Sequence, residues 1–293
     1  MASPVTQNTV FIGGAARFKD LIYVIAKDRG LLQDEVEHTR FVAFDNGKFC
    51  HNGDKNWSAV AVCIARRPTE KMVAIGENGE VLTFVGGKRT EEKITPPPSV
   101  LRGIGVVDGL PVACGMKRQV YRRTGDNAWT AMNAPPPPDG ENAGFEAIAG
   151  YSGKEMYAVG WKGEIWEWDG SQWLKREGPT NLILTGVCCA DDGNVYICGQ
   201  HGTLIRGRHD AWDTVDLGDF TRDLWDIHWF DGKVYLATVT DLYTYSAAGL
   251  APVDFGPDPP ATCYRLTSAE GVLWSVGASD IFSFDGGQWT RVD

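Results

Sequence analysis

At 293 residues, 43% hydrophobic and 23% charged, the chain has the composition of a folded globular protein, long enough for one large core or two small ones. Its formal net charge of −10 at pH 7, with mixed-sign stretches such as "KRTEEK" and no basic patch, argues against nucleic acid, whose phosphates such a surface repels; a basic protein partner fits better. No window approaches 18 uninterrupted apolar residues, which argues against a membrane span, and 35 glycines beside 11 tryptophans suggest many short strands joined by tight turns.

The opening "MASPVTQNTV" has no basic segment followed by an apolar run, so no secretory signal and a cytoplasmic location are expected. Next, "LIYVIAKDRGLL" reads as an apolar strand ending at Ala26, and "FVAFDNGKFCHNGDKNW" completes that unit after an insertion. The same shape returns as "MVAIGENGEVLTF", "PVACGMKRQVYRR", "MYAVGWKGEIWEWDGSQW", "VYICGQHGTLIRG", "VYLATVTDLYTYS" and "LWSVGASDIFSFDGGQW". Aligned where the first apolar run ends, the anchors Gly76, Gly115, Gly160, Gly199, Thr238 and Gly277 are 39, 45, 39, 39 and 39 residues apart. With Ala26 as the first anchor, the chain holds units of about 42 residues, the length of a four-stranded propeller blade.

The fold expected is therefore all-β: one seven-bladed β-propeller over 1–293, with blades near 1–58, 59–96, 97–138, 139–180, 181–219, 220–258 and 259–293. Each unit reads as strands A to D, with Asp-Gly turns such as "DDGN" and "FDGK" suited to hairpins. Strand D often opens with tryptophan. Trp129, Trp173, Trp212 and Trp289 lie 14, 13, 13 and 12 residues after their anchors, so they are spread around a ring and assigned to packing between blades. These units resemble bacterial kelch-like propellers built on "VYAVGxxGxIxxxDGxxW". The Trp-Asp pairs are WD-like, but they fall in different registers and lack the Gly-His partner. The resemblance implies the fold and leaves function open.

Few residues suggest chemistry. The seven cysteines fall mostly in strands A and B, form no Cys-x-x-Cys pair, and are expected to be reduced structural thiols. The five histidines form no metal-ligand pattern. "FVGGK" lacks phosphate-loop spacing, and there is no Gly-x-Ser-x-Gly elbow. No catalytic residue, metal or cofactor is expected.

Propeller topology puts the B–C turns and D–A connections on one face, here called the top. The D–A connections are long and proline-rich, as in "APPPPDGENAG" and "GPDPPA", which makes a stiff surface. The B–C turns supply the candidate contacts: Lys27, Arg29, Glu77, Met116, Lys117, Arg118, Trp161, Lys162, Gln200, His201, Asp241 and Asp280. Exposed Trp, Met and Arg are what interfaces favour. Trp161 has a second reading, as a side chain folded over a neighbouring blade. The function expected is binding of a protein partner by a chain that is monomeric alone and not itself an enzyme. Its most concrete form is an immunity or antitoxin-type protein occluding a toxin, a basic toxin domain being one such partner. The alternatives are an assembly scaffold, or a hydrolase or lyase centred on the channel, where Asp226 and His228 are the main polar exceptions in strand A.

Overall fold

The computed structural model describes residues 6–293, so the first half of the N-terminal stretch read above lies outside the described residues. Seven four-stranded antiparallel sheets follow one another, each built from four consecutive strands. The innermost strands A are Thr9–Phe18, Ala59–Ala65, Leu101–Val107, Phe145–Ser152, Leu184–Cys189, Asp226–Phe230 and Arg265–Ala269. Each touches the next, and the last touches the first, closing a ring around a channel of about 500 Å³.

Burial falls off outward and follows the sequence pattern. Strand B is apolar on both faces because a neighbouring blade covers each, and Lys71–Gly76 is buried throughout. Strand D is outermost, and Lys88–Lys93 is exposed at all but one position. The hairpin turns take the geometry that Asn-Gly and Asp-Gly pairs allow. Asn46 and Gly47 have φ of 48° and 79°, and Asp108 and Gly109 have 51° and 77°, both left-handed as a type I′ turn requires.

The in-register tryptophans pack between blades. Trp173 sits in a cluster with Val107, Val112 and Val120 of the preceding blade, and its indole N–H donates to Met132 O at 2.5 Å. Trp212 meets Tyr157 of the preceding blade edge-on, with ring centroids 5.7 Å apart.

Ring closure uses no exchanged strand among the described residues: the first blade is wholly N-terminal and the last wholly C-terminal. The seam is held by Phe11 N donating to Ala278 O at 2.9 Å, Ala16 N donating to Thr267 Oγ1 at 3.1 Å, and one apolar cluster shared by Phe11, Ile22, Val24, Trp274 and Ile281.

Candidate partner-binding face

The D–A connections lie directly on the B–C turns through backbone hydrogen bonds. Leu101 N donates to Glu77 O at 2.8 Å, Met116 N to Val100 O at 2.9 Å, Trp161 N to Gly144 O at 3.0 Å and Gly202 N to Arg222 O at 2.8 Å. The two sets of loops thus form one tied surface, and the stiffness of the proline-rich segments passes to the turns beneath them.

The candidate side chains divide by exposure. Arg29, Lys117, Lys162 and His201 are exposed, and Lys27, Glu77, Met116, Trp161, Gln200 and Asp241 are half-buried. Several are held by neighbours. Trp161 Nε1 donates to Glu146 Oε1 at 2.6 Å, Lys162 pairs with Glu141, and Asp241 pairs with Arg222. Lys27 Nζ donates to Ser58 Oγ at 2.6 Å. Trp161 is thus held through its N–H by strand A of its own blade, while part of the ring meets solvent.

Arg118 and Asp280 do not fit the expectation of an exposed contact. Arg118 is 7% exposed, its Nε and Nη2 donating to Glu164 Oε2 and Oε1 at 2.7 and 2.6 Å, with its guanidinium over the Trp166 ring. Asp280 is 5% exposed and accepts from Thr262 N at 2.9 Å, Ser279 Oγ at 2.8 Å and Arg291 Nη1 at 2.6 Å. Burial pushes the Asp280 carboxyl up, but these donors outweigh it and hold it below its ordinary value. Both are interior ion pairs, because a charge inside a blade must be paired.

Sequence reasoning passed over another set. Among the described residues the exposed large hydrophobics are Leu31, Leu32, Val36, Val100 and Val239, and each of these lies in a B–C or D–A connection of the top face. The ten-residue B–C segment 29–38 of the first blade, visible in the sequence only as an insertion after Ala26, carries three of them.

The channel has a polar wall on the last two blades. Asp226 Oδ2 accepts from Leu266 N at 2.8 Å, and His228 Nε2 lies 2.8 Å from Ser268 Oγ. Burial lowers the His228 pKa to about 4, so the imidazole is neutral at pH 7 and can accept the Ser268 hydroxyl. Among the described residues no group of three or more His, Cys, Asp or Glu could hold a metal ion, and all seven cysteines are free. Burial pushes Cys63, Cys189, Cys198 and Cys263 up to about 12, which keeps them as thiols.

The chain is 43% identical to "Immune protein Tsi7" of Pseudomonas aeruginosa, over 99% of this chain and 98% of that protein. It belongs to the Tsi7 family of immune proteins. No protein-family model matches the chain. Among solved structures, the WD40 propeller domain of Doa1 superposes with a TM-score of 0.73 at 10% identity, covering 94% of this chain and 92% of that one. Virginiamycin B lyase of Staphylococcus aureus with quinupristin gives 0.72 at 12% identity, over 94% of each chain. Identities this low carry the fold alone, so within the Tsi7 kinship the lyase likeness assigns the channel no chemistry.

Proposed function

We propose that this chain neutralises a toxin by binding it as a folded protein with the top face and covering the toxin's working surface, without a reaction of its own. Kinship to an immune protein over nearly the whole chain supports the biological role. The observation that carries the choice of face is that, among the described residues, the exposed large hydrophobic side chains all lie there. Apolar surface left bare on a folded chain marks an interaction site more often than chance would place it.

Charge favours a basic partner. Glu35, Asp139, Glu177, Asp219 and Asp254 are exposed in the top-face connections; of the cations there, Lys162 and Arg222 are paired with Glu141 and Asp241, and the exposed Arg29 and Lys117 are outnumbered by these carboxylates. Such a surface attracts a basic domain and speeds its association.

The test is co-expression with the toxin from which this chain protects a cell, followed by affinity measurement on the purified pair. Trp161→Ala should weaken binding, by about 30-fold if the ring is a central anchor, and Asp139→Lys should slow association with a basic partner. Lys233→Glu, exposed at the start of strand B beside the A–B turn on the opposite face, should change nothing. Binding that survives every top-face change and is lost with Lys233→Glu would move the working surface to the other side.

A further inference from the structure

Most blades join strands B and C by a tight turn, as between Gly76 and Glu80 or Gly115 and Gln119. The first blade instead projects the segment 29–38, with a short helix Arg29–Gln33 at its start. Its base is firmly built. The Asp28 carboxylate caps the helix, accepting from Gly30 N at 2.9 Å and Leu31 N at 3.2 Å. The buried His38 ring bridges the two ends: Asp28 N donates to Nε2, and Nδ1 donates to Val36 O, each at 2.7 Å. Val36 N donates back to Leu31 O at 2.9 Å, closing the segment on itself.

The tip is the reverse of the base. Leu31, Leu32 and Val36 are 39%, 49% and 48% exposed, and the helix buries none of its residues. The segment therefore adds nothing to the propeller's core while presenting apolar surface to water. The same segment carries exposed Asp34, Glu35 and Glu37 against one exposed cation, Arg29 at its base, so its rim is acidic on balance.

We propose that the 29–38 projection is the anchor of the toxin complex: an apolar knob of Leu31, Leu32 and Val36 that seats in a hydrophobic cleft of a folded toxin domain rimmed by Lys or Arg. This narrows the face reading of the preceding subsection and rests on it. Three occupants compete, and charge separates them. In a two-fold pair of this chain the acidic rims would face each other, and like charges so placed oppose association. An anionic membrane surface would repel the same rim. A basic-rimmed cleft complements both the knob and its surround. The capped, bridged base fixes the knob before contact, so little ordering remains to oppose binding.

The experiment uses the full chain and, as probe, the purified toxin domain that it neutralises in co-expression. Leu32→Asp, and Leu31→Asp with Val36→Asp, should leave the melting temperature nearly unchanged, since no core contact is lost. Each should weaken binding by about 30-fold or more, the loss expected of a central apolar anchor, whereas Leu32→Met should bind as the parent does. Asp34→Lys with Glu35→Lys should slow association, with a smaller effect at high salt. Hydrogen exchange on the unmodified pair gives an independent reading, in which amides of 29–38 gain protection in the complex.

If the Leu and Val changes leave affinity within about threefold and 29–38 gains no protection, the anchor is elsewhere. Should Trp161→Ala still weaken binding in that case, the face reading survives and only the knob falls; should no top-face change matter, both fall. A chain that sediments as a dimer, dissociated by Leu32→Asp with toxin affinity intact, would assign the knob to a second copy and overturn the proposal.

Discussion

Arg118 and Glu164 show how a charged residue in a binding-face turn becomes structural. Arg118 has φ of 58°, a left-handed conformation that costs a non-glycine residue energy, yet its guanidinium reaches across to a carboxylate of the next blade and makes two charge-assisted hydrogen bonds. Trp166 Nε1 adds a third donor to Glu164 at 3.2 Å. Arg118→Ala should cost about 3 kcal/mol in denaturant unfolding, because Glu164 would be left buried with only the Trp166 N–H and the half-exposed Lys175 ammonium, 3.4 Å away, in place of a bidentate partner. Arg118→Met combined with Glu164→Leu should recover most of that loss, since neither charge then remains. Burial pushes the Glu164 carboxyl up, but Arg118 and Trp166 outweigh it and hold it below its ordinary 4.5. A carboxyl depressed on folding contributes stability above its unfolded pKa and loses it as pH falls through the folded one. Between pH 5 and pH 3 the parent chain should therefore lose more stability than the double variant, and equal losses would show that the pair contributes nothing to acid sensitivity.

Strand B ends in glycine in four blades, and in the seventh Gly277 follows its last residue, for a reason that lies in another element. At Gly160 a Cβ would stand 2.2 Å from Gly144 O, at Gly199 2.5 Å from Ile183 O, and at Gly277 2.1 Å from Thr262 O. In each case a D–A connection passes its carbonyl over the strand end. Gly144 O accepts from Trp161 N, and Ile183 O from Gln200 N, both at 3.0 Å. Gly160 has φ of 175°, ordinary extended backbone, so the demand is for space and not for left-handed freedom. Gly160→Ala should lower stability by about 1–3 kcal/mol in thermal or denaturant unfolding, the usual cost of overpacking. By displacing the 144–146 connection it should also loosen the seat of Trp161. An alanine variant as stable as the parent would mean that the connection shifts freely and that the face is softer than its hydrogen bonds imply.

At the scale of the molecule, stability depends on a complete ring. Each blade buries its two faces on its neighbours, and among the described residues the seam between the last and first blades is side-chain packing and a few hydrogen bonds, with no strand shared across it. Residues 145–293 alone would expose Phe145, Trp166 and Trp173, which pack against Val107, Val112 and Val120. That fragment should show no cooperative transition in denaturant followed by tryptophan fluorescence and near-ultraviolet dichroism. A monomeric fragment with a sharp transition would show that half a ring is a folding unit.

Much of this architecture is legible in the sequence because each blade is made from consecutive residues. A period of 39 residues, Asp-Gly turns and an in-register tryptophan are local signals, and a local signal suffices where the strands that pair are neighbours in sequence. The side-chain roles on the top face were not legible in the same way. Arg118 in "GMKR" looks like any exposed turn cation until the next blade brings Glu164 against it, 46 residues away in sequence. Leu31 and Leu32 in "DRGLL" look like the continuation of a core strand, yet no blade covers the projection that holds them. Periodicity specifies which residues alternate along a strand. Whether a given charge is paired or a given leucine is bare depends on what a neighbouring blade sets against it, and only the closed ring decides that.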